Sequence, residues 1–436
     1  MRVSVVTLGC KVNQYESRAL EEELRSRGHV VVPFGEPADV VVVNSCTVTH
    51  RSDRDTRALV RRARRASPGA RVVVTGCYAQ VDPGALREMG VDAVVGTGEK
   101  PLIPRLLEEG ARGVLVGDPA GSRELRPAPV TRFGGRSRAY LKVQDGCEAF
   151  CAYCIVPYAR GPSRSLPLRH VRAGLDRLRD AGYREVVLTG VHLGLWGRDL
   201  DPPRPFEALL DEAAGAGIPR IRLSSLEPNE ISDGVIGRLA RGAPLCRHLH
   251  VPLQSGSDRV LRAMGRPYTA GEFRERVEAV ARAVAGVCLG LDVIVGFPGE
   301  RPEDFEATRE LLEGLPVAYL HVFPFSPRRG TPAAERPDRV PGDEIRRRAR
   351  VLRELSERKR RRFHGAQVGR RLPALAEGGP RGGVLRLRTR NYVPVRVPWA
   401  GPAPRDEVTV LLERVREGWV EARPVPEEEC HGDSAP

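Results

Sequence analysis

Lysine is nearly absent from this basic chain. It stands only at Lys11, Lys100, Lys142 and Lys359, so almost all of the 70 basic residues are arginine. With abundant Ala, Gly and Val, this reads as the imprint of a GC-rich coding sequence. That imprint accounts for arginine over lysine but not for a net charge of +14. A surplus of this size points to a polyanionic partner, nucleic acid above all. Long apolar runs are missing too. No stretch approaches the ~18–20 residues of a membrane helix, so no membrane partner is expected. The start, MRVSVVTLGC, has no charged segment followed by a long apolar one. A secretory signal is therefore not expected, and the expected location is cytoplasmic, where thiols stay reduced and free to act as ligands. Nucleotide and zinc-enzyme signatures are lacking as well. GTGEKP at residues 96–101 is neither GxGxxG nor a Walker loop, and no HEx2H or HxE pattern accompanies the cysteines.

What the chain has is nine cysteines, six of them in two triplets. Cys147, Cys151 and Cys154 share one short loop, DGCEAFCAYC. Cys10, Cys46 and Cys77 are far apart, yet each follows a β-branched run: VVTLGC, VVVNSC, VVTGC. Residues 1–120 alternate strands (Arg2–Leu8, Asp39–Val43, Arg71–Thr75, Asp92–Val95) with helices such as Tyr15–Arg27 and Asp53–Arg65. This predicts an N-terminal α/β domain built on a parallel sheet, whose ligands bind beyond the carboxyl ends of the strands. The separations of 36 and 31 residues are close to one βαβ unit. Right-handed crossovers then place all three thiols on one sheet edge.

Residues 121–138 are rich in Pro, Gly and Arg and read as a linker. Six strand signals follow within 139–340: Ala139–Val143, Glu185–Leu188, Arg220–Ser224, His248–Leu253, Leu289–Val295 and Ala318–Phe325, with helices between them. They predict a partial or full βα barrel of TIM type, its cysteine loop on the carboxyl face. Residues 341–365 form a strongly basic helix, either a solvated connector or an RNA contact. Residues 366–425 alternate short strands with Gly/Pro turns and predict a small all-β barrel of OB-like size. The tail, 426–436, is expected to be disordered.

The local triplet admits several readings. A structural zinc closes with four ligands, and the nearest downstream histidine, His170, is not close. A redox dithiol needs only Cys151 and Cys154 and leaves Cys147 unexplained. Three thiolates suit an iron–sulfur cubane with one iron left open. Ligand count favours the cluster.

The spacing Cys-x3-Cys-x2-Cys resembles the radical S-adenosylmethionine signature. TLGCKVNQYES, VVNSCTVT and VTGCYAQ resemble the amino-terminal domain of the methylthiotransferases within that superfamily. DGCEAFCAYCIVPYARGPSRSLP, HVPLQSGSDRVLRAMGRPYT, DVIVGFPGE and FPFSPRRGTPA continue the match. RTRNYVPVRV is similar to the small RNA-binding (TRAM-like) module of many such enzymes, so the resemblance spans almost all of residues 1–425. It implies a central radical-S-adenosylmethionine barrel and two [4Fe–4S] clusters. The catalytic one is held by Cys147, Cys151 and Cys154, and the auxiliary one by Cys10, Cys46 and Cys77. S-adenosylmethionine is the implied source of both the methyl group and a 5′-deoxyadenosyl radical, with Tyr153 beside its adenine. The implied partners are tRNA and an electron donor such as a flavodoxin or ferredoxin; the sulfur source is left open. LGCKVNQYES, TGVHLGLWGRDL and RLSSLEP look like the subgroup acting on N6-threonylcarbamoyladenosine in tRNA. The prenyladenosine and ribosomal protein S12 subgroups are the alternatives, and a non-enzymatic, metal-containing RNA-binding protein is the alternative of another class.

Further cofactor-contact candidates lie at strand ends or beside the cysteine loop. Gly190 allows close backbone approach, Gln254 and Ser255 end the fourth barrel strand, Ser225 and Glu227 the third, and Arg160 follows the cysteine loop. His192, His248, His250 and His321 read as packing residues. Cys246, Cys288 and Cys430 lack partners, and Cys288 reads as a buried apolar-like residue.

Overall fold

In a computed structural model, whose described residues are 1–134 and 137–426, the three regions take up three linked bodies. The expected tail falls almost wholly outside the described residues. The first body is a six-stranded, all-parallel sheet in the order β2-β1-β3-β4-β5-β6. Its strands are β1 (Arg2–Thr7), β2 (Val30–Val32), β3 (Val40–Ser45), β4 (Arg71–Gly76), β5 (Ala93–Val95) and β6 (Gly113–Leu115). The two edge strands, β2 and β6, are three residues each and were not expected; segments this short carry too little periodicity to be seen. Val41, Val43, Val72 and Val74 pack one face, and Val3, Val40, Val42 and Val73 the other, which is why these strands read as unbroken valine runs. Helix α1 (Lys11–Ser26) starts at Cys10, α2 (His50–Ala66) starts just after Cys46, and α3 (Cys77–Val81) starts on Cys77 itself.

The 121–138 segment is less solvated than its composition suggests. Val130 and Phe133 are buried in the central core. The Thr131 and Arg132 amides donate to Glu22 of α1, and the Tyr15 hydroxyl donates to the Ala128 carbonyl. The segment thus straps the first body to the second.

The second body carries six parallel strands in two half-sheets. These are β7 (Arg138–Lys142), β10 (Glu185–Thr189) and β11 (Arg220–Leu223), then β12 (His248–Gln254), β13 (Cys288–Val295) and β14 (Tyr319–Pro324). Between β7 and β10 a short antiparallel pair forms, β8 (Gln144–Asp145) with β9 (Arg164–Ser165). An isolated bridge from Ile221 to Leu245 joins the half-sheets, so the barrel is partial. Leu249, Val251 and Leu253 of β12 and Leu289, Leu291 and Val293 of β13 pack under the helices. Residues of opposite parity, among them Arg222, His250 and Asp292, face the barrel interior by strand alternation. The helix Gly342–Gly365 buries Ala349, Leu352 and Leu355 in the same core. Its Ser356 hydroxyl exchanges bonds with the amide and carbonyl of Leu320 (2.9 and 3.1 Å), shielding the edge strand β14. The basic helix is therefore a docked connector with an exposed arginine face.

The third body is a closed five-stranded barrel, ordered β15-β16-β17-β19-β18, with β15 Arg371–Ala376, β16 Val384–Thr389, β17 Pro394–Pro398, β18 Val408–Arg416 and β19 Trp419–Pro424. It seats on the amino-terminal ends of β7, β10 and β11 through buried charge. Arg220, fully buried, pairs with Glu185 and Glu407 (both 2.7 Å) and donates to the carbonyls of Arg388 and Thr389 (both 3.1 Å). Arg222 pairs with Glu185 at 3.1 Å, and Arg138 reaches Glu377 at 2.7 Å. Removing one partner of such a network strands the others in a dry interior. Arg220→Ala should therefore cost ~3–5 kcal/mol in urea unfolding and let protease release the terminal barrel earlier than in the wild type.

Candidate functional site

The dispersed thiols converge because three strand-to-helix turns are laced together. Asn13 of α1 donates to the carbonyls of Leu8 (2.8 Å) and Ser45 (3.0 Å), joining the Cys10 and Cys46 loops. The Ser45 hydroxyl bonds the Thr75 carbonyl at 2.5 Å, joining the Cys46 and Cys77 loops. Gly9 has φ +99°, and a Cβ there would sit 2.9 Å from the Cys46 Cβ, so only glycine lets these loops approach. Cys46 and Cys77 are buried and Cys10 is exposed. Burial pushes the Cys77 thiol up to about 11; nearby Arg160 opposes this, and Cys46 and Cys10 add to it.

The local triplet lies in a loop whose neck is the β8–β9 pair. Gly146 has φ +75°, and a Cβ there would collide with the Pro162 carbonyl. The Cys147 amide donates to the Gly161 carbonyl at 3.0 Å, and the Ala152 amide to the Met264 carbonyl at 2.9 Å. Burial, then the neighbouring Cys151 and Cys147, push the Cys154 thiol up to about 12. The other two thiols have donors. His192 Nδ1 is 3.3 Å from Cys147 Sγ, and its Nε2 is 2.7 Å from Glu230. Arg266 donates to Cys151 Sγ at 3.3 Å and pairs with Glu227. His192 is thus a neighbour of the first cysteine rather than a packing residue. His192 and Arg266 lie 45 and 115 residues from their cysteines, and no local motif links such distances.

All eight described cysteines are free. Among the described residues, only His250, Asp292 and His321 bring three ligand atoms within 4.8 Å of one another. Each triplet gathers three reduced thiols with a cationic side chain nearby, a donor set of the kind that suits an iron–sulfur cluster.

Beside Cys154 lies a cavity of about 210 Å³. Val48 and Thr49, just beyond Cys46, form one wall; Tyr153, Cys154 and Val156 form another; Gln254, Asp292, Ile294, Phe323 and Phe325 come from the barrel strands. Gln254 reaches it through a register shift at the end of β12, with φ +66°. The other candidates separate. Gly190 fills a tight place: a Cβ would lie 2.7 Å from Gln144 Oε1, which accepts the His192 amide. Ser255 is fully buried and bonds Thr308 and the Ser257 amide, so it holds a turn. Ser225 is exposed at the end of β11, and Glu227 anchors Arg266.

Arg160, 3% exposed, is not a surface charge. Its guanidinium meets Asn13 (2.6 Å), Glu16 (3.0 Å) and Asp145 (2.8 Å). Lys142 spans the same two carboxylates at 2.8 and 2.9 Å, and Lys100 also pairs with Glu16. Glu16 belongs to the Cys10 helix and Asp145 precedes the Cys147 loop, so this cluster clamps one cysteine set to the other. Burial alone would raise the Glu16 and Asp145 carboxyls. Arg160 and Lys142, with Lys100 at Glu16, outweigh it and hold both well below the usual range. A carboxyl lowered on folding stabilises above its unfolded value near ~4 and loses that contribution as pH falls towards its folded value. Glu16→Gln should therefore cost ~3–5 kcal/mol at neutral pH. In urea titrations its gap from the wild type should hold from pH 7 to about 5 and narrow below about 4.

Comparison with known proteins agrees with this geometry. Residues 2–96 match the uncharacterized protein family UPF0004, and residues 141–312 match the radical SAM superfamily. The threonylcarbamoyladenosine tRNA methylthiotransferase MtaB of Aquifex aeolicus is 37% identical over 401 residues, 91% of this chain and 96% of that protein. Its namesake in Bacillus subtilis is 42% identical over 345 residues, 78% and 76% of the two chains. Proteins named tRNA-2-methylthio-N(6)-dimethylallyladenosine synthase also match, at 33–34% identity. Among solved structures, the radical S-adenosylmethionine methyltransferase TsrM of Kitasatospora setae superposes with a TM-score of 0.58 at 17% identity, covering 76% of this chain and 77% of that one. It shares the fold. Among the described residues, no helix is long and apolar enough to cross a membrane.

Proposed function

Because the chain belongs to the radical S-adenosylmethionine methylthiotransferases, we propose that it adds a methylthio group to carbon 2 of N6-threonylcarbamoyladenosine in tRNA. The observation that carries this reading is one cavity lined both by the loop beyond Cys46 and by the Tyr153–Val156 segment that holds Cys154. The substrate follows relatives at 37% and 42% identity, which bear the threonylcarbamoyl name. Enzymes of this superfamily use S-adenosylmethionine and a [4Fe–4S] cluster, which supply a radical able to attack an unactivated C–H bond.

Cys147, Cys151 and Cys154 would hold that cluster, and Cys10, Cys46 and Cys77 a second one. His192 and Arg266 direct N–H groups at two of the sulfurs and so orient them. Tyr153, Gln254 and Ile294 offer the cavity one aromatic, one amide and one apolar surface, a lining suited to a nucleobase. The Arg160 clamp fixes the distance over which the methylthio group must pass. The terminal barrel, as a TRAM-like module, and the arginine face of the basic helix would grip the RNA backbone through phosphate charge.

Anaerobically reconstituted protein should hold about eight irons, two cubanes. Joint replacement of Cys10, Cys46 and Cys77 by alanine should leave about four and abolish methylthio transfer. An unchanged iron content in that variant refutes the second cluster. Cys151→Ala should end reductive cleavage of S-adenosylmethionine while tRNA binding, read by filter retention, persists. Mass spectrometry of tRNA nucleosides from a strain lacking the gene should show loss of the methylthio-threonylcarbamoyl nucleoside; loss of the prenyl form instead assigns the other substrate.

A further inference from the structure

Asp292, on one wall of the cavity, belongs to a polar cluster that the cysteine chemistry does not use. His250, Asp292 and His321 stand on the adjacent strands β12, β13 and β14, with Asp292 in register between Pro252 and His321. His250 Nε2 and His321 Nδ1 approach the same oxygen, Asp292 Oδ1, at 2.7 and 3.3 Å. Both are hydrogen-bond separations, and the two ring N–H groups satisfy the cluster without an ion. Behind it, His250 Nδ1 lies 3.3 Å from the Tyr319 hydroxyl, which also meets His248 Nε2 at 3.0 Å. His248 in turn stacks on Tyr392 of the terminal barrel, with ring centres 4.3 Å apart. Burial alone would raise the Asp292 carboxyl, but His250 and His321 hold it below the usual range, so it is ionised.

The carboxylate is 24% exposed, and the space it faces is the cavity beside Cys154. A half-buried carboxylate, braced from behind on one oxygen, is suited to take a donor on the other. An adenine substituted at N6 offers its N–H donors on the N6 side, while its ring nitrogens N1, N3 and N7 are acceptors that a carboxylate repels. Resting on the substrate class proposed above, we infer that Asp292 accepts a hydrogen bond from the N6–H side of the target base and so aims carbon 2 at the reacting centre. His250 and His321 are positioning residues that hold Asp292 in place.

The test is the yield of methylthio nucleoside per 5′-deoxyadenosine released, measured on reconstituted full-length enzyme with target tRNA. Asp292→Asn should keep its iron and go on cleaving S-adenosylmethionine, while that coupling ratio falls about tenfold or more. Asp292→Glu should recover part of it, and His321→Phe, at the exposed side of the cluster, should lower it by less. Wild-type coupling in the Asn variant overturns the inference, as does a parallel loss of cleavage and transfer with iron retained. Should the Asn variant lose its iron, His321→Phe carries the same comparison. A tRNA bearing N6-dimethylallyladenosine also presents an N6–H. If the wild type modifies that tRNA alone, the substrate reading fails, while the coupling of Asp292→Asn on it still decides this inference.

Discussion

The buried charge cluster around Arg160 is the constraint on which the rest of the site depends. Glu16, Arg160, Lys142, Lys100 and Asp145 come from both bodies, and each side chain is at most 11% exposed. Ions buried without partners cost several kcal/mol each, so the network tolerates little change in geometry. Glu16, Arg160 and Asp145 sit six residues after Cys10, six after Cys154 and two before Cys147. Whatever the two thiol sets hold is thereby kept at one separation. A hydrophobic interface of equal area would hold the bodies together, but it would not fix their register as tightly, because apolar contact is not directional.

The same network shapes the chemistry of the thiols. Burial makes Cys77 and Cys154 reluctant to ionise, and mutual repulsion adds to that. Cations oppose this: Arg160 near Cys77 and Arg266 near Cys154. Thiolates are the ligand form, which gives arginines placed in the interior a role beside the cysteines.

Much of this was legible in the sequence. Valine runs ending in Gly-Cys or Ser-Cys revealed parallel strands with thiols at their carboxyl ends, because fully covered strands are apolar on both faces. All six central strands were expected to within a residue or two at either end. What stayed hidden was relational. Arg160 read as a cofactor contact because nothing in PYARG indicates that Glu16 lies across an interface. His192 and His250 read as packing residues because a single histidine carries no sign of its partner, and both partners, Cys147 and Asp292, are over 40 residues away. The 121–138 segment read as a linker from composition, since two buried residues among many polar ones leave no periodicity.

The position of the terminal barrel sets a last condition on any nucleic-acid substrate. It sits on the first residues of β7, β10 and β11, whereas the Cys147–Cys154 loop lies beyond the last residue of β7. Strands of four or five residues span ~13–17 Å at the usual rise, so the terminal barrel and that loop stand at opposite ends of the strands. A base still stacked in an RNA loop could not enter a 210 Å³ cavity with its neighbours; it must be turned out, at the cost of its stacking. A contact on the cavity wall that accepts an N–H offsets part of that cost for a base presenting a donor there, and not for one that presents only acceptors.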